Sequence, residues 1–384
     1  MKKLLPIFIL GLIISQPLFA HAQQSTPDQI TIVKAQVIKV VSQQVEAVPG
    51  TPVKDTDQSL NAEILEGAQK GQTIIVDDDR VILNPGDIFY LTIDVSSVDG
   101  SVTYSISDAY RLPWLEGLVG LFIVCVLIFG GKQGFRGLIA LAISFLAIGY
   151  ILFPGIFNGY SPVLMSIGVA SVMIILGSYI THGFNKVTTS AVIGMVVTII
   201  VTGLLAYVSI HGAKLTGFAN DESVSLNMNT NGTIDFAGLL LGGIIIGLLG
   251  VLYDASIGQA VAVDELSHIG PHLPRVVIFR RALRMGREHI GALVNILAIA
   301  YVGASLPLLL LFYQSSANFG MTVNSEIFAT EIVRAMVGSI GLILAVPVTT
   351  LIAILMLMNK KDSQTDATVV AGELRKVEEL EHHH

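Results

Sequence analysis

Four polar side chains stand out because they fall where apolar residues should be. Asp254 closes a run of glycine and aliphatic residues, and Glu265 follows it in a continuing helical pattern. Their separation is close to three whole turns at ~100° per residue, so on one helix both carboxylates point the same way. Glu288 and Asn295 belong to the next apolar stretch, where they share a face with Ala292 and Val302. An ionisable group near the edge of hydrocarbon costs a few kcal/mol unless it is solvated, paired or protonated, so residues of this kind mark ion pathways and proton relays. Ser256, Gln259 and Asp264 add polarity between the two acids. The plainer alternative is that both acids are interfacial and wet, or paired with arginines downstream. Asn295 could equally bond to Asp254 or bridge two helices.

Gly243, Gly247 and Gly250 lie on the same stripe as Asp254. Small residues at this spacing let a neighbouring backbone approach closely, so the sequence predicts helix packing along the stripe. Packing accounts for the glycines but not for a carboxylate among them. Glu331 and Arg334 form an i, i+3 pair that can neutralise itself near a membrane interface. His182, clustered with Thr181, Asn185 and Thr188, is either a proton relay or a solvated loop histidine. His268 and His272 are four apart, but Pro271 interrupts the helix that would align them. Gly130-Gly131-Lys132-Gln133 lacks the spacing and the hydroxyl residue of a phosphate loop, and the chain has neither H-E-x-x-H nor G-x-S-x-G. The sequence therefore predicts no metal, no cofactor and no enzymatic activity. The single cysteine, Cys125, can form no intrachain disulfide and is expected to be a small buried apolar residue.

The elements that must hold these residues are mostly membrane-spanning. The chain has 384 residues, 52% hydrophobic and 13% charged, where a soluble domain carries about 25% charged. Its mean hydropathy is +0.71. That excludes an ordinary cytosolic enzyme, and a net charge of −7 with no basic stripe excludes nucleic acid as a partner. The fold class expected is a polytopic α-helical membrane protein with about seven transmembrane helices and an N-terminal exported all-β domain. Residues 1–22 read as a signal peptide, with Met1-Lys2-Lys3, a short apolar core and small residues before Gln23. Residues 23–112 form the β domain. It holds 13 acidic and 6 basic side chains, so its 6 − 13 = −7 accounts for the whole formal charge.

Five runs in that domain have strand character: Ile30 to Val48, Leu60 to Leu65, Gln72 to Val76, Ile88 to Val95 and Val102 to Ile106. Phe89, Leu91, Ile93 and Val95 alternate with polar residues, as in a strand with one buried face. Turn residues such as Asn84-Pro85-Gly86-Asp87 separate the runs. Short strands in this number predict a small OB- or SH3-like barrel.

Residues 113–358 carry the spans, at roughly 114–130, 136–153, 162–181, 188–210, 236–254, 290–312 and 330–358, each near the ~20 residues needed to cross hydrocarbon. With the β domain exported, the alternate loops that hold Lys132, Lys186, the arginines from Arg275 to Arg287, and Lys360 are cytoplasmic, as the positive-inside bias requires. A basic amphipathic segment within 265–288 is expected to lie along the cytoplasmic surface of the bilayer. Residues 359–379 form a cytoplasmic tail, and 380–384 have the composition of a truncated purification tag.

Several stretches carry a family likeness. Gly250-Val251-Leu252-Tyr253-Asp254-Ala255-Ser256, Asp264-Glu265-Leu266, Gly286-Arg287-Glu288-His289-Ile290-Gly291, Asn295, and Tyr301 to Leu306 resemble the YibE/F family of bacterial membrane proteins. The likeness extends into the β block with its Gly86-Asp87 turn. Glu288-His289 departs from the family pattern of Asp followed by an apolar residue, and Ile296 stands where the family has Thr. The resemblance implies a multi-span protein of the bacterial cytoplasmic membrane and supplies no substrate. A fainter likeness, resting on one helix pair, links the glycine-rich span ending in Asp to proton-driven export families.

The function expected is an ion-gradient-driven permease or exporter, with a pathway near Asp254, Glu265, Asn295 and Glu288. The alternative is a membrane-anchored interaction or signalling protein whose β domain binds an extracytoplasmic partner. The partners implied are the lipid bilayer and a small solute or ion. The sequence indicates no oligomeric state.

Overall fold

The computed structural model describes residues 29–47, 54–78, 81–96, 100–314 and 318–358. The signal peptide at 1–22, the tail at 359–379 and the tag at 380–384 lie outside the described residues. The chain divides into two compact units between Cys125 and Val126, beyond the boundary at 112 expected from sequence.

The first unit is built on five antiparallel strands: β1 (Gln29–Ala47), β2 (Lys54–Ile64), β3 (Thr73–Asp78), β4 (Ile88–Val95) and β5 (Val102–Ala109). Their order in the sheet is β3-β2-β1-β4-β5. β1 is long enough to pair with β4 over its first half and with β2 over its second. Register shifts between Val37 and Lys39 and between Val40 and Ser42 bend it between the two partners, the effect expected of an extra residue in a strand. The sheet thereby curls into a half-barrel that brings β3 and β5 towards each other. Phe89, Leu91, Ala35, Leu60 and Ile64 are fully buried inside it. The alternation in β4 thus points the residues expected, and the Asn84–Asp87 turn closes with Asp87 Oδ2 accepting from the Asn84 amide at 2.8 Å.

The helical unit continues from α1 (Leu112–Ala147) through a π turn (Ile148–Leu152) into α2 (Phe153–Phe157). It is followed by α3 (Pro162–His182), α4 (Lys186–Gly212), α5 (Asp221–Asn229), α6 (Phe236–Ile269), α7 (Arg275–Ala304), α8 (Leu306–Tyr313), α9 (Phe319–Asn324) and α10 (Glu326–Leu357). Among the described residues, five helical stretches are long and apolar enough to cross a membrane, and a sixth is formed by α7 and α8, bent by 64°, if they count together. The difference from the expected seven arises in Leu112–Phe157, counted as one stretch of 46 residues. A straight helix of that length would reach about 69 Å, more than twice a hydrocarbon core of about 30 Å. It is not straight. Gly131 adopts φ 52°, ψ −133°, and a Cβ on Gly134 would collide with the carbonyl oxygen of Val126. The helix therefore folds back at Gly131.

α4, α6 and α10 form the centre of this unit, with Met195, Ile244, Ile245 and Leu342 buried between them. Close approach depends on small residues meeting hydroxyls. A side chain on Gly194 would strike Thr349, one on Gly341 would strike Thr202, and one on Gly242 would strike Ser166 of α3. At one end of the bundle, Glu326 at the start of α10 accepts from the Thr216 amide (2.7 Å), the Thr216 hydroxyl (2.7 Å) and the Gly217 amide (2.9 Å), tying the loop after α4 to α10.

The amphipathic segment at 265–288 falls across a helical hairpin. α6 runs on to Ile269, a turn at 270–274 reverses the chain, and α7 starts at Arg275 as one rod. The two arms stay together because Ile278 and Ala282 are buried and Gln259 Nε2 donates to the Ala282 carbonyl at 2.8 Å. Cys125 is exposed rather than buried. No side chain between Leu112 and Cys125 is buried, so the cysteine has the surroundings of its whole helix.

Candidate functional site

α6 carries two kinds of face. One buries Leu241, Ile245, Leu248, Leu252, Ser256 and Gln259 in the bundle. The other leaves Gly243, Gly247, Gly250, Asp254, Gly258 and Glu265 exposed at helical spacing. The acid and glycine residues singled out in the sequence therefore do share a stripe, as their periodicity predicts. Its use differs from the expectation, however. A Cβ on Gly243 or Gly250 would meet nothing within 4 Å, and one on Gly247 would meet only the Tyr301 hydroxyl, at 3.6 Å. Among the described residues Gly243 and Gly250 pack against no helix, and Gly247 meets only Tyr301 of α7. The packing role belongs to Gly242, Gly194 and Gly341, whose neighbours sit across the buried faces.

Two contacts fix the register of α6 against the antiparallel α7: Gln259 faces Gly286, and Gly247 faces Tyr301. Asp254 accordingly lies level with residues near 292, between Glu288 and Asn295 of α7. Glu288 and Asn295 are themselves exposed, on the side of α7 away from its buried Gly286 and Leu297. Asp254, Glu288 and Asn295 lie within about 6 Å of one depth, Glu265 lies about 16.5 Å further along α6, and none of the four is enclosed by the bundle.

Depth can be read against α10. A side chain on Gly286 would touch both Gln259 and Val346, so these three residues form one layer. From Glu326 to Val346 is 20 residues of helix, about 30 Å, the thickness of a hydrocarbon core. Asp254 lies about 7.5 Å along α6 from the Gln259 layer, and Arg334 about 12 Å along α10 from Glu326. Arg334 Nη1 donates to Glu331 Oε1 at 2.7 Å, and both side chains are only about one-third exposed or less. Tyr301 lies within electrostatic reach of the pair. The Glu326 end of this layer of helices thus holds a neutralised ion pair, and the Gln259 end holds Asp254, for which the described residues supply no ion-pair partner.

Other polar groups make contacts that the sequence did not indicate. Tyr253 shares a hydrogen bond with the Thr181 hydroxyl and also donates to the Gly177 carbonyl at 3.4 Å. The His182 ring lies 5.9 Å from that of Tyr253. Tyr253, Gly250 and Gly177 help to line a cleft of about 380 Å³ between α1, α3 and α6. Inside the bundle, the hydroxyls of Thr202, Ser256, Thr330, Ser339 and Thr349 are buried without a protein partner. A single sequence gives little signal for these, because hydroxyl residues occur on every face of membrane helices. His268 Nδ1 is engaged by its own helix, 2.8 Å from the Asp264 carbonyl. Among the described residues no three His, Cys, Asp or Glu side chains are placed to hold a metal ion.

Comparison with known proteins adds one relationship. A family profile described as YibE/F-like protein matches residues 118–359, which include every helix that carries the candidate residues. No curated protein and no solved structure matches the chain.

Proposed function

This chain belongs to the YibE/F-like family, and we propose that it is an ion-gradient-driven permease or exporter of a small solute or ion, not an enzyme. The observation that carries this reading is Asp254. It is a carboxylate on the glycine stripe of a helix long and apolar enough to cross a membrane, where ionisable groups are costly and tend to serve transport. The pathway would follow the outward face of α6 from Tyr301 and the Glu331–Arg334 pair to Asp254 and Glu265, with Asn295 and Glu288 alongside. A proton arriving on the Asp254 carboxylate removes its charge, and a stripe of bare backbone beside it can then repack; that is the bistable element gating requires.

In this reading the bundle crosses the bacterial cytoplasmic membrane seven times: twice in α1–α2 because of the break at Gly131, once each in α3, α4, α6 and α10, and once in α7 with α8. The β domain is then extracytoplasmic and the C-terminus cytoplasmic, with Arg280, Arg281, Arg284 and Arg287 on the positive-inside side. The test is proton uptake by proteoliposomes under an imposed membrane potential, read with an entrapped pH dye. Asp254→Asn should abolish uptake while the variant inserts and folds as the parent does. Uptake at the parental rate would falsify the reading.

A second reading, an anchored interaction protein, is supported by one feature of the β domain. Ile30 and Ile32 of β1 are 64% and 60% exposed on an otherwise acidic unit, and exposed apolar groups in this arrangement suit a partner. It requires that Asp254→Asn leave every phenotype intact and that replacing both isoleucines by serine remove it.

A further inference from the structure

We propose that a second copy of this chain covers the outward face of α6, with α6 of each copy lying against α7 of its partner. This goes beyond the transport reading and does not depend on it.

The stripe on α6 suits a close neighbour that the described residues do not provide. Gly243, Gly250 and Gly258 have nothing within 4 Å of where a Cβ would stand, while the glycines on the buried side are all occupied. Aliphatic residues would face lipid better than bare backbone does, and small residues are what let two membrane helices touch. Charge supplies the second argument. Asp254 and Glu265 on α6, and Arg281 and Arg284 on α7, are exposed and make no ion pair among the described residues. On α7 these arginines begin a stripe that continues through Glu288, Gly291, Asn295 and Val302, all exposed and on one side of the helix.

Symmetry identifies the occupant. Two copies in one bilayer are related by a two-fold axis along the membrane normal, so every residue keeps its depth in the partner. The register that sets Gln259 against Gly286 and Gly247 against Tyr301 also sets Glu265 near the level of Arg281, and Asp254 level with residues near 292, between Glu288 and Asn295. An α6-to-α7 contact therefore places Glu265 near the height of the partner's Arg281 and Asp254 near the amide of the partner's Asn295, twice over, with Glu288 about a turn away. Pairing α6 with α6 would instead place Asp254 against its own symmetry copy, a like-charge contact. The glycine floor of one copy then lies under Gly291 and Asn295 of the other, and the polar strip on α6 becomes enclosed between two copies.

Crosslinking tests the contact directly. In a Cys125→Ser background, Gly250→Cys and Ile296→Cys are placed on two differently tagged copies and co-expressed in membranes, then oxidised with copper phenanthroline. A covalent heterodimer that needs both cysteines is expected. A self-link through Gly250→Cys alone, or no intermolecular link, overturns the proposal. Photobleaching step counts of the parent in nanodiscs guard against a misfolded cysteine variant: two steps are expected, and a single step overturns it. Glu265→Arg should lower the dimer fraction about tenfold or more, and Glu265→Arg with Arg281→Glu should restore it. Equal dimer fractions in all three would overturn the charge pairing and with it the α6-to-α7 arrangement.

Discussion

The two faces of α6 use the same residue type to opposite ends. On the inward side, Gly242 meets Ser166, and the helix is held further by Gln259 against Gly286 of α7. On the outward side, Gly243, Gly250 and Gly258 meet nothing among the described residues. One side converts the absence of a side chain into packing, and the other keeps it as open backbone beside a carboxylate. Small-xxx-small spacing therefore names a helix that something approaches closely, but not which face is approached, nor by what. The two glycine pairs of α6, Gly238 with Gly242 and Gly243 with Gly247, are offset by five residues, and that rotation of about 140° separates interior from exterior.

The comparison breaks most severely at the most crowded glycine. Gly194 of α4 lies against Thr349 of α10, with Thr349 Cα itself 3.0 Å from where a Cβ would stand. Backbone cannot rotate away as a side chain can. Gly194→Leu should cost more than the ~1–3 kcal/mol typical of overpacking and leave little folded protein in detergent. Gly243→Leu, on the outward face, should change the unfolding midpoint of the single chain by an amount equivalent to about 0.5 kcal/mol or less. Thermal scans of the two variants side by side measure the contrast. Equal losses would mean that both faces of α6 are packed alike.

Gln259 sharpens the inward side. It is 4% exposed, and its amide bonds the Ala282 carbonyl while its stem fills the space left by Gly286. Gln259→Ala removes the bond and opens a cavity at the layer where α6, α7 and α10 meet, for a loss of about 2–3 kcal/mol. The same truncation at Glu265, exposed on the outward face, should leave single-chain stability nearly unchanged. Detergent-unfolding curves of both alanine variants check this, and a large loss only at Glu265 would reverse the assignment of faces.

How much of this was legible in the sequence follows from what periodicity can carry. The β4 alternation from Ile88 to Val95, the turn at Asn84–Asp87 and the shared stripe of Asp254 and Glu265 depend on local geometry, and they are where the residues put them. The direction of the stripe was not legible, because it depends on which neighbours α6 acquires. Glycine has no side chain whose polarity would mark it as inward or outward. The hairpin that α6 and α7 form across 265–288 was also hidden. Arginines beside Val277, Ile278 and Phe279 look the same on a surface helix as on the arm of a hairpin, and only burial of Ile278 and Ala282 distinguishes them. Ion pairing at Glu331 and Arg334 was accessible because it needs nothing beyond one turn of helix. The bonds of Tyr253 to Thr181 and Gly177 were not, since they join α6 to α3 across about 70 residues of chain.

Tyr253 stands at the border between the two faces, and its hydroxyl gives the smallest but most discriminating effect. It adjoins Asp254 in sequence but turns towards α3, where it bonds Thr181 and the Gly177 carbonyl beside the cleft lined by α1. Tyr253→Phe keeps the ring and its packing and removes only those bonds, so the expected loss is about 1 kcal/mol. If ions follow the outward stripe, proton uptake into proteoliposomes should persist in this variant at a rate within about twofold of the parent, a barrier change below about 0.5 kcal/mol. Tyr253→Phe and Asp254→Asn should then separate cleanly, one affecting stability and the other flux. If uptake is lost in Tyr253→Phe while Asp254→Asn retains it, the route runs through the cleft between α1, α3 and α6, and the outward stripe is left with its role in joining two copies.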